Sequence, residues 1–473
     1  MRHTEKLDYS LRNLHSCNAT AQGLPNASIY KEKKSMSCRI LNIKSPADAE
    51  AEALFRRLSE RGNPADGNGQ DVENQVRAIL ADVRERGDQA LIERTRQFDA
   101  PDMELPLAVP QEELARAAAS ISGEERSVIV EAASHIRAFH EAQKDKSWFI
   151  TREDGSILGQ KVEPVDRAGL YVPGGKGGNT PLISSMLMGA IPAQVAGVKE
   201  IAVVTPPRAD GTLNPYMLAA AYLLDINEVY RVGGPWSIAA LAYGTKEIRP
   251  VDVIAGPGNI FVTTAKKLVQ GKVGIDMIAG PSEILVLADE SANPDWVAAD
   301  MLSQAEHDRL ASAILVTTSS LLADRTAAAL ERRVAELPRA DIARASLDDW
   351  GAIILVPDLS VGVEMANRIA PEHMEICTSS PWEVLPSIRH AGAVFMGQYS
   401  PEPVGDYYAG PNHVLPTLGT ARHSSALSVQ TFCKRTSIVA ASAQFTSAHA
   451  SSIALLARLE GLEAHARSVE LRG

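Results

Sequence analysis

The sequence contains no apolar run long enough to form a transmembrane helix. Its longest apolar stretch, residues 186–198, is interrupted by Pro192 and Gln194, whereas a membrane-spanning helix needs about 20 apolar residues. Apolar residues make up 45% and charged residues 22% of the 473 positions, which is ordinary for a soluble globular protein. The composition therefore argues against fibrous, largely disordered and membrane-bound proteins.

Cysteine is scarce and widely spaced. The four cysteines are Cys17, Cys38, Cys377 and Cys433, and their spacing predicts neither a disulfide scaffold nor a thiolate zinc site. This usage favours a reducing cytoplasm. A bound metal would therefore have to use histidine, carboxylate or amide ligands.

Positive charge is also in short supply. The 47 Lys and Arg residues face 58 Asp and Glu residues, so the formal net charge is −11, which argues against nucleic acid as a main partner. The first 39 residues are instead basic, yet they lack the apolar core of a secretory signal. We interpret Met36 as the true start of the protein and residues 1–35 as a disordered or spurious extension.

The spacing of apolar residues predicts an α/β fold. Buried-type strands such as Ile201–Thr205 and Ile284–Ala288 alternate with helices, an order typical of parallel sheets with right-handed crossovers. The predicted segments are an extension (1–38), a helical lead-in (39–150), a first Rossmann-like domain (151–275), a second Rossmann-like domain (276–427) and a small helical tail (428–473). Two such domains in series predict a ligand crevice between them. The exposed leucines of the tail suggest that it packs on another surface, such as a second subunit.

Glycine turns follow several of the predicted strands. Gly233-Gly234 and the GPGN turn of residues 256–259 each precede a helix, where backbone N–H groups can face a phosphate. Neither turn completes the G-x-G-x-x-G fingerprint of dinucleotide-binding domains. Two interpretations therefore remain open: the turns bind a phosphate, or they only connect a strand to the following helix.

Two pairs of side chains have spacings suited to metal binding or acid–base chemistry. Gln304 and His307 share one helix face, which fits either a metal site or a capped helix end facing solvent. Glu372 and His373 follow the helix-ending Pro371. The second pair can act in proton transfer, or it can be purely structural.

Two further pairs lie towards the carboxyl end. Asp406 and His413 belong to a long polar loop, and long ordered loops are usually functional, although the aspartate can also serve only the turn. Glu460 and His465 flank Gly461, so a helix break there can bring them together. Alternatively, both are solvated surface groups.

Six motifs taken together resemble the L-histidinol dehydrogenase family: residues 169–175 (GLYVPGG), 256–259 (GPGN), 280–283 (GPSE), 303–307 (SQAEH), 370–373 (APEH) and 405–417 (GDYYAGPNHVLPT). The resemblance extends from about residue 40 to the end of the chain. It implies oxidation of L-histidinol to L-histidine through the aldehyde, with two NAD molecules and one zinc ion per subunit, as the last step of histidine biosynthesis. It also implies an intertwined, cytoplasmic homodimer with shared active sites.

The resemblance assigns a role to each residue that matches a family position. The implied zinc ligands are Gln304, His307, Asp406 and His465, the last donated by the other subunit. The implied acid–base pair is Glu372 and His373. The implied substrate contacts are Ser282, Gln304, His307, His373, Asp406, Glu460 and His465. The implied NAD contacts are Tyr171 and Asn259.

The chain departs from the family pattern at two places beside the expected cofactor. Trp236 stands where many members have a glutamine that contacts NAD. We retain Trp236 as a cofactor-binding candidate, although it cannot accept a hydrogen bond and can only stack on a ring. Residues 176–179 (KGGN) also differ from the commoner form.

Two alternative functions are a relative that oxidises another alcohol, such as a sulfonated diol, and a non-catalytic metal-binding or assembly protein on the same fold. The presence of Glu460 and His465 favours histidinol. Retention of both Glu372 and His373 beside all four ligand positions argues against a non-catalytic protein.

Overall fold

A computed structural model describes residues 38–62 and 68–473 of the chain. The interpretation of residues 1–35 as an extension lies outside these residues. The first described segment begins with a strand and continues with helices: β1 (Arg39–Asn42), α1 (Ala49–Glu60), α2 (Asn68–Arg86), α3 (Asp88–Phe98), α4 (Gln111–Ser120) and α5 (Gly123–Glu141). The lead-in predicted to be helical over residues 39–150 contains these five helices, but it begins with β1 and ends within the strand Trp148–Thr151.

The next segment forms a parallel sheet with helical crossovers, preceded by a hairpin. Its elements are β2 (Trp148–Thr151), β3 (Ile157–Pro164), β4 (Arg167–Tyr171), α6 (Ile183–Ala196), β5 (Glu200–Thr205), α7 (Pro215–Leu223), β6 (Glu228–Arg231), α8 (Gly234–Tyr243), β7 (Val253–Ala255), α9 (Ile260–Val269) and β8 (Gly274–Ile275). The parallel sheet has the order β6-β5-β4-β7-β8. Helix α6, which the apolar spacing did not predict, is almost entirely buried. Because α6 is apolar on all sides, its sequence lacks the amphipathic periodicity that would indicate a helix.

A second parallel sheet follows. Its elements are β9 (Glu283–Ala288), α10 (Pro294–Ala305), β10 (Ser312–Thr317), α11 (Ser320–Val334), α12 (Ala340–Trp350), β11 (Ala352–Leu355), α13 (Leu359–Ile369), β12 (His373–Cys377), α14 (Pro381–Val384), β13 (Ala393–Met396) and α15 (Glu402–Val404). The strand order is β1-β11-β10-β9-β12-β13, so β1 from the start of the chain closes one edge. The predicted α/β architecture with parallel sheets is confirmed.

The carboxyl-terminal segment contains one strand and two helices: β14 (Cys433–Ala440), α16 (Ala443–Leu459) and α17 (Glu463–Glu470). The prediction that the chain is helical from Ser428 onward is wrong over β14. This strand pairs with β3 in an antiparallel three-stranded sheet of order β14-β3-β2. Its β-branched residues Thr436, Ile438 and Val439 favour the extended conformation. Pairing with the distant strand β3 stabilises this strand in place of a helix.

The cores of the two parallel sheets take in helices from the first segment. Val76 and Leu80 of α2 pack with the buried face of the five-stranded sheet, whereas Ala51 of α1 packs under the six-stranded sheet. The lead-in helices are thereby distributed between the two α/β layers. No helix in the described parts of the chain is both long and apolar enough to cross a bilayer.

Candidate active site

The candidate residues gather at opposite edges of the two parallel sheets. Tyr171 ends β4 and Gly256 follows β7, at the carboxyl edge of the first sheet. Glu283 and His373 begin β9 and β12, at the amino edge of the second sheet. Residues 276–282 connect the two edges directly, because they run from the end of β8 to the start of β9.

The register between β9 and β12 brings Glu372 and His373 beside Glu283. His373 pairs with Ile284 across the parallel ladder, so the residues that precede them are also neighbours. The Glu283 N–H donates to Glu372 Oε2 at 2.9 Å, and the Glu372 N–H donates to Glu283 Oε2 at 3.2 Å. The predicted acid–base pair is therefore buried at a strand edge and held by backbone hydrogen bonds.

One hydrogen bond defines which nitrogen of His373 is free. The Nδ1 atom lies 2.9 Å from the carbonyl oxygen of Glu283, and because a carbonyl can only accept, Nδ1 carries the proton. The buried Nε2 atom has no hydrogen-bond partner. Burial lowers the pKa of His373, although nearby Asp406 opposes this shift. His373 is thus a neutral imidazole with an available Nε2 lone pair.

The Glu372 carboxyl lies in a strongly acidic environment. Burial raises its pKa well above the usual value, and the carboxyl groups of Glu283, Glu402 and Asp406 raise it further. Its Oε2 atom lies 3.8 Å from His373 Nδ1. A carboxylate with a raised pKa is a stronger base than an exposed glutamate.

A group of possible metal ligands surrounds the free face of His373. The Nε2 atom lies 3.8 Å from Asp406 Oδ1 and 4.0 Å from Glu402 Oε1, and one ligand atom of each of these three residues lies within 4.8 Å of the other two. Burial raises the pKa of Asp406 to about 7, although His373 opposes the shift. This cluster is the one group of three or more His, Cys, Asp or Glu residues within the described residues that has such spacing.

Gln304 and His307 lie at the end of α10, as predicted. Gln304 is completely buried, yet neither its Oε1 nor its Nε2 atom has a hydrogen-bond partner. A buried amide without partners is costly, so this side chain is suited to bind a ligand. The preceding Ser303 donates to Glu402 Oε2 at 3.1 Å, which connects the end of α10 to the cluster.

His307 is exposed, but its charge acts on the same cluster. Burial raises the pKa of Glu402, and His307 is the strongest of the opposing influences. His307 also contributes to the low pKa of His413, about 4, for which burial is the main cause. The structure therefore places Gln304 and His307 near the carboxyl groups in different environments, one buried and one accessible.

The residues expected to contact NAD lie at the carboxyl edge of the first sheet. Tyr171 is buried, and burial raises the pKa of its phenol. Asn259 is exposed and caps α9, because its Oδ1 accepts from the N–H groups of Phe261 and Val262, each at 3.1 Å. The cap uses only Oδ1, which leaves the amide nitrogen as the donor group of this side chain.

Trp236 occupies the core rather than an open surface. Its ring stacks on Phe98 of α3 with a centroid distance of 5.4 Å, and its Nε1 atom is buried without a partner. The ring also lies against Gly234, where a Cβ would come within 2.5 Å of it. The ring that Trp236 stacks on in the structure is therefore that of Phe98, and the role of Trp236 as a cofactor contact stays a prediction.

The two tail candidates do not belong to the cluster. Helix α16 ends at Leu459, and Gly461 has a φ of +77°, which confirms the predicted break after Glu460. Both Glu460 and His465 are exposed, and neither belongs to the group around His373. The leucines around them, Leu455, Leu456 and Leu459, are also largely exposed.

Two contributors to this geometry were not singled out from the sequence. Glu402 lies four residues before Asp406, a helical spacing that could have drawn attention to it. The second is Arg61, which donates to the carbonyl of the predicted, half-buried Ser282 at 3.2 Å, and nothing in its local sequence indicates this long-range contact. His413, from the predicted polar loop, places its Nδ1 atom 4.0 Å from Asp406 Oδ1.

Comparison with known proteins identifies the relatives of the chain. The sequence model of a family described as histidinol dehydrogenase matches residues 63–473. The histidinol dehydrogenase of Nitratidesulfovibrio vulgaris is 64% identical over 438 residues, which cover 92% of this chain and 99% of that protein. The Bacillus subtilis histidinol dehydrogenase is 51% identical, with coverages of 91% and 99%. The crystal structure of histidinol dehydrogenase from Elizabethkingia anophelis superposes with a TM-score of 0.85 at 36% identity, with coverages of 92% and 97%.

Proposed function

Because the chain belongs to the histidinol dehydrogenase family, we propose that it oxidises L-histidinol to L-histidine through L-histidinaldehyde with two NAD molecules, as the last step of histidine biosynthesis. Family membership makes it an NAD-dependent dehydrogenase that acts on a small molecule. The full four-electron reaction is supported by one observation above all. A neutral histidine with a free Nε2 and a glutamate with a raised pKa lie side by side, next to unpartnered metal-ligating groups.

The donor set fits a zinc ion. Gln304 offers a buried amide oxygen without a partner, Asp406 offers a carboxylate within the cluster around His373, and His307 offers an imidazole. Nitrogen and oxygen donors of this kind suit zinc, and catalytic zinc sites keep a position open for substrate. We propose that Gln304, His307 and Asp406 hold one zinc ion together with His465 of a second subunit. Zinc would supply a Lewis acid that anchors the substrate.

His373 serves as the base in the alcohol oxidation. Its Nδ1–H is held by the Glu283 carbonyl, so Nε2 is aimed into the cluster and can accept the proton of the substrate hydroxyl. NAD would supply the hydride acceptor. Since burial favours the neutral imidazole, Nε2 keeps the lone pair that receives this proton. Its low accessibility also restricts bulk water at the reacting carbon.

Glu372 serves in the aldehyde oxidation. Its raised pKa makes the carboxylate a stronger base towards water than an exposed glutamate, and it lies next to His373. Glu372 would take a proton from the water that adds to the aldehyde carbon. His373 would then accept the hydroxyl proton of the hydrated aldehyde during the second oxidation. Ser282, Glu460 and the zinc ligands would contact the substrate.

On the first sheet, Tyr171 and Asn259 are the proposed NAD contacts. Asn259 is exposed at the start of α9 with its amide nitrogen free to donate. Tyr171 is buried beneath the same edge. Because Trp236 is stacked in the core on Phe98, its contribution would be to support the turn at Gly234.

We propose that the active unit is a homodimer with shared sites. His465 and Glu460 are exposed and stand apart from the cluster that they would complete. The exposed leucines of α16 and the exposed strand β2 give the tail region apolar surface that a second subunit would cover. For the same chain we propose a cytoplasmic location, since Cys38, Cys377 and Cys433 are unpaired thiols. We also propose no membrane partner and, because of the net charge of −11, no nucleic-acid partner.

The deciding experiment measures stoichiometry. We expect two NADH per L-histidinol consumed by the purified, zinc-loaded enzyme, with little aldehyde captured by an added carbonyl reagent. One NADH per histidinol with accumulating aldehyde would show that the reaction stops after the first oxidation.

A further inference from the structure

Glu283 contacts both members of the proposed acid–base pair. Its carbonyl accepts from His373 Nδ1 at 2.9 Å, its N–H donates to Glu372 Oε2 at 2.9 Å, and its Oε2 accepts from the Glu372 N–H at 3.2 Å. The first two bonds use its backbone and the third uses its carboxylate. Glu283 therefore determines both the direction of His373 and the position of the Glu372 carboxyl.

The Glu283 carboxylate is itself held by groups from distant parts of the chain. Its Oε1 accepts from Arg61, at the carboxyl end of α1, and from the Leu418 N–H at 3.0 Å. The Arg61 side chain has no solvent exposure. The same guanidinium donates to the carbonyls of Ser282 and Leu310 at 3.2 and 3.0 Å. Arg61 thus supplies the positive charge that a buried carboxylate needs.

We propose that Glu283, held by Arg61, is a positioning residue that orients Glu372 for the aldehyde oxidation. The inference rests on the proposed role of Glu372 and extends it to two residues that do not reach the reacting atoms. Both Glu283 oxygens already accept bonds, Oε1 from Arg61 and Leu418 and Oε2 from Glu372. A neutral amide of the same shape must therefore place its NH2 group against at least one donor.

The test substitutes Glu283→Gln and measures the oxidation of supplied L-histidinaldehyde in the zinc-loaded enzyme. We expect kcat to fall about 10- to 100-fold, the usual effect of removing a supporting contact, with KM for the aldehyde nearly unchanged. Arg61→Met should have a similar effect on kcat. Arg61→Lys should recover part of the loss, because lysine restores the charge but cannot reach three acceptors.

The same substitution in an enzyme that already carries Glu372→Gln separates a positioning role from general destabilisation of the fold. Glu283→Gln is introduced into Glu372→Gln, and we expect little further loss of kcat, because the group that Glu283 positions is already inactivated. An equal fold-loss in both backgrounds would overturn the proposal. If Glu283→Gln does not fold, Arg61→Lys in the same two backgrounds gives the same test. A wild-type rate for Glu372→Gln alone would instead refute the role of Glu372 in the proposed function.

Arg167→Met is the matched control. The Arg167 side chain is also buried and pairs with Glu228 at 2.5 Å, but it lies at the start of β4, at the amino edge of the first sheet and away from the cluster. We expect this variant to melt at a lower temperature and to keep the wild-type kcat. A loss of kcat as large as that of Arg61→Met would show that any lost buried ion pair impairs the enzyme, and would overturn the specific role of Arg61.

Discussion

Gly256 provides a sharp test of the proposed cofactor edge. It has a φ of +121°, and a Cβ at this position would lie 2.1 Å from the carbonyl oxygen of Tyr171. The neighbouring atoms are backbone, so they cannot rotate away. The turn is also held from both sides, because the Gly256 N–H donates to Asp276 Oδ2 at 2.8 Å and its carbonyl accepts from Lys266 Nζ at 2.9 Å.

The expected cost of Gly256→Ala has two components. The positive φ costs an alanine about 1–2 kcal/mol, and overpacking in a closed space costs a further ~1–3 kcal/mol. The free energy of unfolding should therefore fall by about 2–5 kcal/mol unless the turn moves away from Tyr171. Such a movement would displace Asn259, three residues later, and weaken NAD binding.

Gly271→Ala is the control for backbone strain alone. Gly271 has a φ of +96°, and no atom lies within 4 Å of the position of its Cβ, so we expect a loss of only about 1–2 kcal/mol and unchanged NAD affinity. Thermal melting measures stability, and calorimetric titration measures the affinity for NAD. For Gly256→Ala we expect affinity to fall by about tenfold or more, which corresponds to ~1.4 kcal/mol. A folded Gly256→Ala protein with wild-type affinity would refute the assignment of this edge to NAD.

Three further outcomes test the site. Glu372→Gln should slow aldehyde oxidation more than alcohol oxidation. His373→Asn should slow both reactions by about 10²–10⁴-fold. If Glu372→Gln slowed the oxidation of histidinol and of histidinaldehyde equally, the separate roles of Glu372 and His373 would be contradicted. When a His465→Ala chain is mixed with an Asp406→Ala chain and the subunits exchange at random, about a quarter of wild-type activity should return. About half of the dimers are then mixed, and each mixed dimer carries one intact site. If exchange is confirmed and no activity returns, shared sites are refuted. Zinc affinity should fall as pH drops below about 7, because the pKa of Asp406 is raised to about 7 and protons then compete with the metal; equal affinity in chelator competition at pH 6 and pH 8 would contradict this.

The alternation of strands and helices in the two parallel sheets was predictable wherever an element carries its own apolar signal. The strands predicted over Ile201–Thr205 and Ile284–Ala288 form with one further residue at the amino end of each. Strand β14 was not, because its residues are largely exposed and its conformation depends on pairing with β3. Local apolar spacing cannot report a ladder between segments so far apart in the chain.

The candidate site, too, was predictable where its residues are close in sequence and not where they are far apart. Gln304 with His307 and Glu372 with His373 are close in sequence, so their spacing alone indicated possible chemistry. The contact between Arg61 and Glu283 joins the end of α1 to the start of β9, and only the folded arrangement of these two elements reveals it. At Trp236 the sequence showed the departure from the family pattern, but only the structure shows that the side chain packs against Phe98.

The ladder between β3 and β14 also affects the order in which the protein is assembled. It joins residues 157–164 to residues 433–440, and strands β4 to β13 of the two parallel sheets lie between these segments in the sequence. Contacts with such a large sequence separation close slowly, because a long loop must lose its freedom before the contact gains anything. Strands β4 to β13 can therefore pair before the ladder that carries α16 and α17 forms. In the proposed dimer, a newly made chain would consequently bring Glu372 and His373 together before its tail could reach the site of another chain.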